Sequence, residues 1–234
     1  CGLAVVGQTK QLVPADKLLY ALRDVTGTVD NVSLIASSIM SKKLASGADT
    51  ILLDVKCGNG SFLKNQSDAE LVAKSMVNIG KTAGKKTTAM VTDMNQPLGM
   101  AIGNALEVHE AIQILRGEIE GELKDVSTAI ASNILLSSGK FTERSKAETI
   151  VQETISSGRA LERLKKMIEY QKGDVAVCDD LSQLPTASHQ IPVVAEHSGY
   201  ITKVMTDQIG FSALLLGAGR VKKEMRLILL WVSG

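Results

Sequence analysis

Thr50-Ile51-Leu52-Leu53-Asp54-Val55, the glycine loop Cys57-Gly58-Asn59-Gly60 and, further on, the run from Thr87 to Thr92 decide the fold. The first and last are short apolar or β-branched runs that read as buried strands. Between them, about Asp68 to Thr82 reads as a helix. Strand, helix, strand is the βαβ unit of a parallel sheet. The loop Asp93-Met94-Asn95-Gln96-Pro97 then leaves the C-terminal end of the second strand, where α/β proteins bind their ligands. The glycine loop could cradle phosphate with backbone N–H groups. Two glycines without a G-x-x-x-x-G-K-[ST] pattern favour a structural turn near the cleft instead.

Upstream, Pro14-Ala15-Asp16 opens a helix that runs to about Val25, with Asp16 complementing the positive end of its dipole. Gly27 interrupts it. Asp30 or Asn31 can cap a second helix, roughly 32–46, that Gly47 ends. Downstream, helices are expected at about 100–116, 122–138, 143–157 and 159–171. From about Ile191 the pattern changes: Val193-Val194-Ala195 and the run from Tyr200 to Val204 flank Gly199 and predict a β-hairpin. The methionines Met40, Met76, Met90 and Met100 read as core.

Composition bounds the class. Of 234 residues, 44% are hydrophobic, enough for a sizeable core, and only 3% are aromatic, which suits helices packed on a sheet. The net charge of +1 favours neither nucleic acid nor an anionic membrane as partner. Cys1, Cys57 and Cys178 match no zinc or redox spacing and read as reduced thiols of a cytoplasmic protein. No signal peptide or membrane-length apolar run is visible. Cys1 in place of Met, Val5-Val6-Gly7 as the exit of a strand and an apolar end at residues 225–234 suggest a piece of a longer protein.

The chemistry concentrates on the two early helices. Ile35, Ser38 and Lys42 are spaced i, i+3, i+7 and share a helix face; Tyr20 and Arg23 share another. If the helices pack as a hairpin, Arg23, Ser38 and Lys42 converge on one small polar ligand. From pattern alone the ordinary reading, charges on solvated faces with a filler serine, is preferred. His109, His189 and His197 lack ligand-like spacing and read as structural or surface residues, and Asp179-Asp180 as a helix cap.

Longer strings shift that balance. Val6-Gly7-Gln8-Thr9, Pro14-Ala15-Asp16-Lys17, the run from Tyr20 to Thr26, the run from Ile35 to Lys43, Leu53-Asp54-Val55-Lys56, Gly58-Asn59-Gly60, the run from Thr92 to Gly99, the run from Gly103 to Val108 and Leu216-Gly217-Ala218-Gly219-Arg220 closely resemble, in order, the thymidine and pyrimidine-nucleoside phosphorylase family. The similarity runs to about Glu224. It implies the fold shared with phosphoribosyltransferases: an α/β part plus an all-α part, with a helical domain and a mixed-sheet α/β domain. Residues 12–45 would belong to the helical domain and 1–11 with 46–174 to the α/β domain. Residues 175–234 would form a C-terminal subdomain containing the hairpin.

The resemblance also implies a function. The reaction is reversible phosphorolysis of uridine, thymidine or deoxyuridine to free base and sugar 1-phosphate, with phosphate as co-substrate. In the family, residues matching Arg23, Ser38 and Lys42 hold the pyrimidine ring, and those matching Tyr20 and Ile35 border it. Arg23 and Lys42 would stabilise the leaving base. In Bacillus-type members a monovalent cation such as K+ is bound at positions matching Leu98, Ala101 and Glu110, two carbonyls and a carboxylate; the alternative for Glu110 is a solvent-facing side chain. A homodimer is expected.

Three departures matter. The family's phosphate-binding Lys-His-Ser run would lie upstream of Cys1, and so would the remaining cation ligands. Where the family usually has Ala and Pro, this chain has Gly27 and Ser33; Gly27 is expected to loosen the link between the helices. The tail 225–234 matches nothing in the family. The chain alone is therefore expected to be inactive. The alternatives are a phosphoribosyltransferase of the same fold and a non-catalytic pyrimidine-binding fragment.

Overall fold

A hydrophobic stripe down one helix organises the half of the chain that carries the candidate site. The computed structural model describes residues 2–5, 11–28, 31–218 and 232–233. They divide into two units, one of Val5–Asp93 with Val126–Val151, the other of Cys1–Ala4, Met94–Asp125 and Gln152–Gly234.

In the first unit, strand β1 (Thr50–Cys57) and strand β2 (Lys86–Asp93) pair in parallel, Thr50 opposite Lys86 through Cys57 opposite Asp93. Helix α3 (Gln66–Thr82) joins them, as the βαβ reading requires. Its Ala69, Val72, Ala73 and Met76 fall at helical spacing and are buried. Ile51, Leu53 and Val55 of β1 meet that stripe in one core cluster. Helix α1 spans Pro14–Thr26 and helix α2 spans Val32–Ala45. Ala36 and Met40 of α2 complete the cluster, with Met40 fully buried.

β1 is not buried on both faces, contrary to the reading from its apolar run. From Ile51 to Val55 every second residue is buried, and Asp54 and Lys56 occupy the other face. Over β2 that face carries helix α5 (Glu122–Ser138): Asn133 Nδ2 lies 3.5 Å from Met90 Sδ, and the Thr88 and Ser137 hydroxyls are 3.1 Å apart.

Local chemistry sets the helix ends. Asn31 caps α2 by accepting from the Leu34 N–H at 3.1 Å, and Asn65 caps α3 by accepting from the Asp68 N–H at 2.9 Å. Asp30, the other expected cap, lies outside the described residues. Gly27 closes α1. It adopts the left-handed conformation (φ 65°) that glycine takes without steric cost, and its N–H returns to the Arg23 carbonyl.

The second unit holds helix α4 (Asn104–Arg116), preceded by the short strand β3 (Ala101–Ile102), then helix α7 (Arg159–Tyr170) and two 3-10 turns, Val175–Cys178 and Leu181–Gln183. Helix α6 spans Arg144–Ser156, and the division of the chain falls within it, after Val151. Arg116 donates to the Cys178 and Asp179 carbonyls at 2.7 and 2.9 Å, and Lys165 pairs with Asp179 at 2.7 Å. Asp180 caps the second 3-10 turn by accepting from the Ser182 N–H at 3.1 Å, in keeping with its reading as a cap.

The predicted hairpin around Gly199 does not form. Residues 184–205 contain no helix or strand, and Val193 and Tyr200 are each 97% exposed. With no sheet or helix among the described residues to cover it, an isolated two-stranded ribbon has too little apolar burial to hold. Met100 is also exposed rather than core, whereas Met40 and Met76 are buried. The expected strand exit at Val6-Gly7, the motif end Gly219-Arg220 and the divergent tail, apart from Val232–Ser233, lie outside the described residues. Helix α8 (Thr206–Ala213) and a π turn, Leu214–Ala218, precede that motif end.

One contact tests the packing of α3 on β2. A methyl group at Gly80 would fall inside the buried Thr87 side chain. Gly80→Ala is expected to lower unfolding stability by about 1–3 kcal/mol through overpacking. Adding Thr87→Ala should recover part of the loss in chemical denaturation.

Candidate active site

Arg23 is 5% exposed, an unusual position for a guanidinium. Its Nη1 donates to the Leu34 carbonyl at 3.1 Å and its Nε to the Thr28 carbonyl at 3.3 Å. Both acceptors lie beyond the end of α1, so the side chain ties that helix to the start of α2. The Tyr20 ring, one turn back on the same face, lies with its centroid 5.2 Å from the guanidinium carbon, within cation–π range.

Ser38 is buried and stands on the face of α2 that also carries Ile35. Tyr20, Arg23, Ile35 and Ser38 line one cavity of about 540 Å³ together with the β1 run from Leu52 to Lys56. The helices therefore bring together four of the five residues expected to hold or border a base. The fifth, Lys42, sits one step behind. Its ammonium donates to Asp16 Oδ2 at 2.5 Å, to the Ser38 carbonyl at 2.8 Å and to Ser38 Oγ at 3.0 Å. A lysine has three N–H donors, and all three are used. The lysine of α2 that lines the cavity is its neighbour, Lys43.

Asp16 is the member of this cluster that sequence reasoning assigned only to the helix dipole. Burial works against its ionised form. The hydrogen bonds from Lys42 and Ser38, and the charges of Lys42 and Arg23, outweigh burial and hold the carboxyl below the usual carboxylate range. The signal was available: Asp16, Tyr20 and Arg23 follow i, i+4, i+7 along α1 and share a face.

The glycine loop is a self-contained turn. Gly58 N–H donates to the Leu63 carbonyl at 3.0 Å, and the Ser61 hydroxyl donates to the Lys56 carbonyl at 2.7 Å. The histidines show no ligand grouping, and among the described residues no cluster of three His, Cys, Asp or Glu side chains could hold a metal ion.

Glu110 does not face solvent. It is 7% exposed, and its carboxylate accepts from the Met100 N–H at 2.8 Å and the Ala101 N–H at 3.3 Å. Gly99 lies so close that a methyl group there would overlap the carboxylate. Among the described residues no Lys or Arg pairs with Glu110. A buried carboxylate without a cationic partner is costly. Main-chain carbonyls such as those expected at Leu98 and Ala101, with a carboxylate, are the kind of hard oxygen donors that would suit a monovalent cation.

The family model described as "Glycosyl transferase family, a/b domain" matches residues 1–161. The pyrimidine-nucleoside phosphorylase of Bacillus subtilis (strain 168) is 50% identical over 222 residues, 95% of this chain and 51% of the relative. That of Staphylococcus aureus (strain USA300) has the same identity and coverage. The chain spans about half the length of these curated relatives. With the α/β domain model covering most of its residues, the chain belongs to this glycosyl transferase family and is similar, over nearly all of its length, to pyrimidine-nucleoside phosphorylases.

Proposed function

We propose that the protein is a pyrimidine-nucleoside phosphorylase, and that this chain supplies the base-binding part of its active site. The observation that carries the reading is the convergence of Arg23, Ser38, Tyr20 and Ile35 on one cavity, in a chain half identical to enzymes of that name. The reaction is reversible. Phosphate oxygen attacks the anomeric carbon of the sugar as the bond to the base nitrogen breaks, and the electron pair of that bond passes to the base.

Negative charge then spreads over the ring nitrogens and carbonyl oxygens. A guanidinium fixed in advance at a carbonyl stabilises that charge more as it grows, which lowers the barrier. The Ser38 hydroxyl suits the alternating N–H and C=O edge of uracil or thymine. Tyr20 and Ile35 border the ring. Lys42 reaches the base by releasing one of its three present acceptors, and Asp16 keeps its ammonium next to Ser38 meanwhile. Phosphate is the co-substrate, and residues that bind it are sought in the part of the relatives that this chain does not span.

The domain division follows the same reading. Residues 12–45 form part of a helical domain, 1–11 and 46–174 an α/β domain, and 175–234 a C-terminal subdomain. Closure of the cleft brings phosphate to the sugar, and the whole protein works as a cytoplasmic homodimer. The Leu98 and Ala101 carbonyls and the Glu110 carboxylate hold K+, which would supply the counter-charge Glu110 otherwise lacks.

The direct test is phosphate-dependent release of uracil from uridine and thymine from thymidine, by this chain and by a chain extended to its relatives' length. The extended protein is expected to turn over and this chain to bind uracil without turnover. Arg23→Ala should lower kcat/KM about 10²–10³-fold, the scale of losing one preorganised donor to the developing charge. No phosphorolysis by a well-folded extended protein would exclude the enzyme reading.

The Asp16–Lys42 pair gives a pH signature. Because the folded carboxyl titrates below its unfolded value, the pair adds stability above the ordinary aspartate range of about 3.9 and loses it as pH falls through the folded value. The melting temperature of the native chain minus that of Asp16→Asn should be positive and flat from neutral pH to about pH 5, then shrink below pH 4. Asp16→Ala should also weaken uracil binding by about tenfold, because Lys42 and Ser38 lose a shared partner.

A further inference from the structure

The cavity that holds Arg23 and Ser38 has a second polar wall that base binding leaves unused. Asp54 and Lys56 stand two residues apart on β1, so their side chains leave the same face of the strand, and both line the cavity. Thr92, opposite Lys56 in the β1–β2 register, closes a ring with them. Lys56 Nζ forms an ion pair with Asp54 Oδ2 at 2.7 Å and donates to Thr92 Oγ1 at 3.0 Å, and the Thr92 hydroxyl donates to Asp54 Oδ1 at 2.5 Å. The ring lies at the C-terminal end of two parallel strands, the ligand end of an α/β sheet.

Its spare hydrogen-bonding capacity is specific. The ammonium has three N–H groups and spends two inside the ring. The carboxylate has roughly four lone-pair sites and spends two. What remains is a strong donor next to a strong acceptor, on a pair with no net charge. An inorganic phosphate, mainly an acceptor and negatively charged, would gain one lysine hydrogen bond and meet the aspartate's negative charge. A hydroxyl donates and accepts at once, and a sugar presents several on adjacent atoms without charge. The cavity volume, about 540 Å³, falls in the range that takes a whole small molecule rather than one planar ring.

We propose that Asp54 and Lys56, braced by Thr92, bind the pentose hydroxyls of the nucleoside whose base lies at Arg23 and Ser38; the assignment rests on the base-site reading. Asp54 accepts a hydrogen bond from one hydroxyl while Lys56 donates to another. Thr92 does not touch the sugar: it fixes the pair.

Calorimetric titration of the 234-residue chain with uracil and then uridine tests the assignment. Uridine is expected to bind about tenfold more tightly than uracil, the scale of hydrogen bonds to charged partners. Asp54→Ala and Lys56→Met should each bring that ratio close to one and leave the uracil affinity unchanged. The two variants are read separately, with a thermal melt of each, so that loss of folding in one leaves the other informative. Equal affinities for uracil and uridine in the native chain would overturn the proposal, and so would a ratio that survives in a folded variant. In either case uracil binding still supports the base site. If neither compound binds, the base reading falls and this assignment with it.

Discussion

The contact between the apolar face of β1 and the stripe of α3 is the constraint on which the site depends. Ile51, Leu53 and Val55 bury themselves on Ala69, Val72, Ala73 and Met76, and α2 is held on the same cluster by Ala36 and Met40. Once α2 is fixed by that face, its Ile35 and Ser38 line one cavity with the β1 run from Leu52 to Lys56. The residues that make the core and those that make the cavity are interleaved on the same two elements. A strand buried on one face only is what allows this: Asp54 and Lys56 belong to the strand whose alternate residues form the core.

α1 is held differently. Its Leu18, Leu19, Leu22 and Val25 are exposed, so apolar burial contributes little to its position. Polar contacts do that work. The Arg23 guanidinium reaches two carbonyls beyond the end of its own helix, and Asp16 meets Lys42 of α2. A buried guanidinium and an ion pair with one side largely covered specify geometry more than they stabilise, because desolvation offsets much of the attraction. That suits a site whose donors must already be placed when charge develops on a leaving group.

Much of this was legible in the sequence. The βαβ unit followed from apolar runs on either side of a helical stretch, and the helix ends from Pro14, Asn31 and Gly27. Spacing put Tyr20 with Arg23 and Ile35 with Ser38 on shared helix faces, but pattern alone favoured solvated charges, and it was the family resemblance that assigned Arg23 and Ser38 to one ligand. The roles of Asp16 and Lys42 could not, because a pairing between residues 26 positions apart depends on the angle at which two helices meet. Glu110 was left open between solvent and cation for a similar reason: burial of a helical carboxylate is set by the backbone of residues 99–101 lying over it. The hairpin failed because alternation of apolar residues describes a strand only where a partner surface exists to cover it, and residues 191–204 have none among the described residues.

The central claim is that Arg23 and Ser38 grip the carbonyl and N–H edge of a pyrimidine. The most direct measurement is a crystal structure of the chain soaked with uracil. The account predicts the ring in the β1–α2 cavity, with a carbonyl oxygen at hydrogen-bond distance from the Arg23 guanidinium and the Ser38 hydroxyl against the neighbouring ring N–H or C=O. Uracil bound elsewhere, or seated in the cavity with both side chains still turned away from it, would contradict the account.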